Sequence, residues 1–174
     1  MFGLLLWWVL VPEARPPPPG TCTVAVEGMP VSVMRHHQVT IGDTPSVRAS
    51  KSLSFILREG ERVRVELTGP RYFGRRWISR SECDAQPQLS LQVEPLPAKL
   101  TLACPHDGMT MMCEDCPTPV GGKIYFADQF PAIDVEDFET TVWILFRAPG
   151  RQRKLQQITL HPGPNVKRVM LDEL

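Results

Sequence analysis

The sequence has no surplus of either charge, with 19 lysines and arginines against 19 aspartates and glutamates. That balance excludes the overall basic field with which nucleic-acid-binding proteins are drawn onto phosphate backbones. No apolar run is long enough to cross a bilayer: Phe2 to Val11 spans ten residues, where a spanning helix needs about 20. After residue 20 there is no capped run of 3.6-residue periodicity, so helix is limited to a turn or two. A glycine-rich phosphate loop and a His-Arg-Asp triplet are both missing, which excludes a kinase catalytic core in these residues. The four histidines are scattered. His36 and His37, as neighbours on an extended strand, would point to opposite faces and share no ligand, and each histidine reads as a solvated side chain. No catalytic constellation and no cofactor motif remains.

What is abundant is turn chemistry. Eighteen prolines and twelve glycines punctuate short alternating runs, the grammar of many short strands. The last third shows it best. Val142, Ile144 and Phe146 alternate with Trp143, Leu145 and Arg147; Ile158 and Leu160 flank Thr159; Val169 and Leu171 flank Met170. Ala148-Pro149-Gly150 and Pro162-Gly163-Pro164-Asn165 read as the turns between these three strands. Earlier, residues 22–28, 31–34 and 38–42 read as strands, Leu53, Phe55 and Leu57 share a face, and Arg58-Glu59-Gly60-Glu61 reads as a hairpin loop. Val63, Val65 and Leu67 then face the core while Arg62, Arg64 and Glu66 face water. Gly69-Pro70-Arg71-Tyr72 turns the chain into a strand holding Trp77 and Ile78. Residues 104–122 read as irregular.

The expected fold class is therefore all-β: two small tandem β-sandwich-like modules, 21–97 and 98–174, with residues 1–20 ahead of them as an apolar stub and a proline-rich spacer. Pro95 and Pro97 mark the boundary, since two prolines so close do not fit a central strand. Phe2 to Val11 reads as the outer end of a transmembrane helix in a longer product, with Trp7 and Trp8 at headgroup level. A poor signal peptide and a hydrophobic first strand are the alternatives for the same residues. Pro16 to Pro19 would hold the modules off the surface as a stiff spacer.

The five cysteines divide unevenly. Cys22 and Cys83 bracket the first module, and in an oxidising compartment their pairing would close a long loop. Cys104 would then pair with Cys113 or Cys116, leaving one thiol over. The competing reading is metal: Cys104, His106, Cys113 and Cys116 offer three thiolates and an imidazole, a zinc ligand set with one two-residue knuckle. Thiol-redox chemistry is disfavoured by Glu114 and Asp115, which would raise a thiol pKa. The one basic and aromatic patch is Arg71, Tyr72, Arg75, Arg76 and Trp77, where side chains would stack on a polymer or partner.

The turn residues together resemble the PEGA domain family of bacterial surface and sensor proteins. Gly42, Thr44 and Pro45, then Gly60, Gly69 and Tyr72, carry the resemblance in the first module. In the second it rests on Pro97-Ala98, Thr118-Pro119, Ala148-Pro149-Gly150, Leu160, Pro162, Gly163 and Asn165. The resemblance implies non-catalytic extracytoplasmic β modules, found in tandem beside a membrane anchor and in some bacteria outside a serine/threonine kinase. The expected partner is a cell-surface polymer or protein, with membrane attachment through the N-terminal segment and, from the charge balance, no nucleic acid. A single immunoglobulin-like sandwich of the same length is the alternative fold, and a zinc or thiol-redox domain the alternative function.

Overall fold

The computed structural model describes residues 18–86, 88–103, 105–136 and 138–174. The apolar segment from Phe2 to Val11, most of the proline spacer, and Cys104 lie outside the described residues. In chain order the first half contains β1 (Thr21–Glu27), α1 (Val31–Met34), β2 (Gln38–Ile41), β3 (Val47–Arg48), β4 (Ser52–Ile56), β5 (Arg62–Thr68), β6 (Tyr72–Ser79), α2 (Arg80–Ala85), β7 (Gln88–Gln92) and β8 (Glu94–Pro95). The second half contains β9 (Lys99–Leu102), β10 (Thr110–Cys113), β11 (Ile124–Phe126), β12 (Thr140–Arg147), β13 (Lys154–Leu160) and β14 (Pro164–Lys167). The fold is all-β.

β1 alternates because Cys22, Val24 and Val26 are buried while their neighbours are not. It takes β4 antiparallel on one side and β7 parallel on the other. A second sheet runs β3-β2-β5-β6-β8. Val24, Leu53, Leu89 and Leu91 of the first sheet and Val39, Val65, Leu67, Tyr72 and Ile78 of the second belong to one buried cluster, so the two sheets pack face to face. In the second half β11-β10-β12-β13 forms one sheet and β14-β9 another, around a separate cluster that includes Leu100, Met111, Ile144, Phe146, Ile158 and Leu160. No residue is shared between the two clusters, which end at Val93 and resume at Ala98.

The pairing pattern repeats. In each half the first strand lies parallel to a late one, β1 with β7 and β9 with β14. The order β3-β2-β5-β6 recurs as β11-β10-β12-β13. Even β4 has a remnant: its antiparallel pairing with β1 shrinks to a single bridge between Ala98 and Ile133. Parallel partners cannot be joined by a tight turn, so the strands between them in sequence form the connection in each half.

Several sequence expectations need correcting. Residues 31–34 are a helical turn, not a strand: Val33 N–H donates to Pro30 O (3.2 Å), and of the four side chains only Met34 is buried. A capped helix does follow residue 20. Ser79 accepts from Glu82 N–H while Glu82 reaches back to Ser79 N–H (2.8 Å), the reciprocal box that Ser-x-x-Glu encodes. Periodicity concealed it because Cys83 is the single buried side chain in α2. Arg58 to Glu61 is not a hairpin loop, since β4 and β5 belong to different sheets. Pro162-Gly163 does not close a hairpin either: β13 pairs with β12, and β14 crosses to lie along β9. The final strand is Pro164–Lys167, where proline sits as the first residue and no ladder donor is lost. Val169 and Leu171 are buried without being in a strand. The stretch read as irregular holds β10, whose Met111 and Cys113 enter the core.

Candidate functional site

β6 carries most of the predicted patch, and its alternation divides it. Tyr72, Gly74 and Ile78 are buried, whereas Phe73, Arg75 and Trp77 are exposed. Tyr72 is core at 2% exposure, with its ring 5.8 Å from that of His37. Arg76 points to the inner side, donating to Ser90 O (2.6 Å) and pairing with Glu82 (3.5 Å). Arg71 lies in the turn before the strand, apart from the others. Only Arg75 and Trp77 of the predicted set share the solvent face, together with Phe73.

The register of β5 on β6 completes that face. Arg64 lies opposite Trp77 and Glu66 opposite Arg75. The Arg62 guanidinium stands 5.0 Å from the Trp77 ring centroid, a cation-π pair, and Arg64 is ion-paired to Glu66 at 3.3 Å. Trp77, at 49% exposure, borders a cleft of about 590 Å³ also lined by Ile41, Phe55 and Ile56 and by Arg62, Arg64, Asp43 and Glu61. A flat indole beside guanidinium forks, with carboxylates and apolar side chains in the same lining, can stack a ring and hydrogen-bond its edges. Arg62 was missed as a site residue although its alternation already placed it outside; the register that puts it over Trp77 is fixed by the Gly69–Arg71 turn.

The cysteines take a definite arrangement. Cys22 of β1 is bonded to Cys83 of α2, with Cα atoms 5.3 Å apart, and Cys113 is bonded to Cys116, with Cα atoms 5.6 Å apart. The second bond corrects the expectation that Cys104 pairs with one of them. It also corrects the zinc reading, because a disulfide has no thiolate to give and both sulfurs' residues are buried. His106 instead accepts from Leu171 N–H (3.4 Å), and among the described residues no three metal-ligating side chains converge. Asp115 accepts from Trp143 N–H (2.8 Å), so the 113–116 loop is fastened to β12. Two disulfides place the chain in an oxidising environment.

His37 is not the solvated histidine that its sequence suggests. It is 1% exposed. Tyr72 N–H donates to Nε2 (3.1 Å), which leaves Nδ1 to carry the proton toward Val33 O (3.0 Å). Burial holds its pKa below the ordinary 6.5, with the nearby charges of His36 and Arg71 acting in the same direction and the Val33 bond opposing. Because the unfolded chain binds this proton more readily, stability is held above pH 6.5 and falls as pH drops from there through the lowered folded value. The urea midpoint is expected to decrease between about pH 7.5 and about pH 5.5, and His37→Asn should remove part of that slope. An unchanged slope in His37→Asn would put the acid sensitivity elsewhere.

The β11-β10-β12-β13 sheet has an unusual solvent face. Ile124, Met112, Leu145 and Leu155 lie in one register row across β11, β10, β12 and β13. Ile124 is 58% and Leu155 47% exposed, with Phe126 and Trp143 nearby on the same face. A one-sided antiparallel sheet normally turns polar side chains outward; here the two ends of the row are exposed apolar side chains, while Met112 between them is half-buried and Leu145 is 9% exposed. No family model, curated protein or solved structure matches the chain.

Proposed function

We propose that the chain is a non-catalytic extracytoplasmic binding module of a bacterial membrane-associated protein, built from two PEGA-like sandwiches. In this reading the N-terminal apolar segment attaches it to the membrane and the proline run spaces it from the surface, in the layout of the outer part of a receptor kinase. The repeated strand order and the disulfides support it. The observation that carries the binding role is Trp77, exposed on β6, stacked with Arg62 and bordering the cleft. Its ligand is a cell-surface polymer whose rings stack on the indole.

Affinity electrophoresis through gels containing a soluble neutral glucan or an acidic galacturonan tests this. Migration should be retarded by one of the polymers, and Trp77→Ala should weaken the interaction by about tenfold or more, the size of a buried aromatic anchor. Trp143→Ala should leave it unchanged. Retardation that survives Trp77→Ala, or none in either gel, removes the polymer reading. The apolar side chains on the β11-β10-β12-β13 sheet favour a protein partner as a second reading, in which Ile124→Lys abolishes an association seen by sedimentation.

A further inference from the structure

Arg71, which leaves the β6 face, joins a different set of cations. Arg35 and His36 follow α1 and are exposed, and Arg48 of β3 lies opposite Gln38 in register. Two adjoining clefts, about 500 and about 310 Å³, share Arg35, His36 and His37. Arg71 and Pro164 line the first and Arg48 the second. No carboxylate lines either cleft. Among the described residues none of Arg35, Arg48 and Arg71 has an ion-pair partner, as is true of most of the arginines. Arg35 Nε donates to His36 Nε2 (3.1 Å), which leaves Nδ1–H of that ring as a further donor.

We propose that these clefts form a binding site for a phosphate-bearing ligand at the junction of the two sandwiches, held by Arg35, Arg48 and Arg71 with His36. Like charges gathered on one surface repel within the screening distance of about 8 to 10 Å, and an anion relieves that repulsion. Three guanidinium charges exceed what one carboxylate neutralises. A phosphate group carries up to two negative charges near pH 7 and presents its oxygens to several forks at once. Because Pro164 belongs to the second half and the arginines to the first, the ligand would touch both. The site lies apart from Trp77, and the proposal does not depend on the polymer reading.

Isothermal titration of the full chain with sodium pyrophosphate, against sodium chloride of equal ionic strength, should show saturable binding. The double variant Arg35→Ser/Arg48→Ser, and separately Arg71→Ser, should each raise Kd by about tenfold or more, while Arg75→Ser on the outer β6 face leaves it within about twofold. All four side chains lie outside the buried core, and an unchanged far-ultraviolet melt verifies that the variants fold. A long-chain polyphosphate that binds more tightly than pyrophosphate identifies polymer-borne phosphate as the source; equal affinities identify a free phosphate compound. Absence of pyrophosphate binding at millimolar concentration, or equal weakening by Arg75→Ser, overturns the proposal.

Discussion

Cys83→Ser is expected to lower the stability of the first half by about 4 kcal/mol, because it releases a cross-link that closes a 61-residue separation. The chain-entropy argument places most of this in the unfolded state, where the freed loop regains conformations. There is also a native part. Cys83 is the buried contact of α2, and the bond fastens that helix to β1, the central strand of its sheet. Cys22→Ser should cost the same, and the double variant no more than either single one, since each removes the same link. Cys116→Ser opens a loop of separation 3, so the same relation gives only about 2 kcal/mol. Hydrogen exchange read separately for β1 and β12 locates each loss. Additive losses for Cys22→Ser and Cys83→Ser, or equal costs for the long and short loops, would show that chain entropy does not govern here.

Local chemistry made part of this molecule legible. β5 stands out because every second residue is apolar and β12 because its apolar run is bounded by turn residues, and the Gly69-Pro70-Arg71 and Ala148-Pro149-Gly150 turns join true hairpins. The predicted patch held Trp77 and Arg75 together with Tyr72 and Arg76, and only the alternation of β6 in the fold separates the two pairs. What stayed hidden depends on residues far apart in the chain. No local signal says that β4 crosses to β1 or that β14 crosses to β9, because turn residues fix where a chain bends and not which sheet it then joins. Tyr72 looks like an amphipathic surface residue until its neighbour His37, 35 positions earlier, closes over it. Arg71 was grouped with Arg75 by proximity in sequence, while the turn that carries it aims it at Arg35 and Pro164. β10 is too short, and too poor in β-branched residues, to declare itself.

Gly163→Val is expected to be the most damaging substitution outside the buried cores, and its effect should reach both halves. Gly163 has φ +76°, a conformation that costs a branched residue about 1 to 3 kcal/mol. A side chain there would also run into the carbonyl oxygen of Pro70 and approach Arg71 Cα at 3.3 Å, and such overpacking adds about 1 to 3 kcal/mol. Turn grammar alone would confine the effect to the second half, whereas the contact with Pro70 extends it to the first. Gly163 N–H donates to Leu96 O (3.1 Å), and its own carbonyl accepts from Lys99 N–H (2.9 Å), so the residue joins the boundary segment to the start of β9. Leu96 N–H in turn donates to Arg71 O (2.8 Å). Displacing Gly163 thus pushes on the 69–71 turn, and through it on the hydrogen bond from Tyr72 N–H to His37. Exchange in the full chain should speed up at Leu96 and Tyr72 as well as at Lys99 and Ala103. Faster exchange confined to Lys99 and Ala103 would mean that the second half absorbs the damage alone, and that the contact with Pro70 couples nothing.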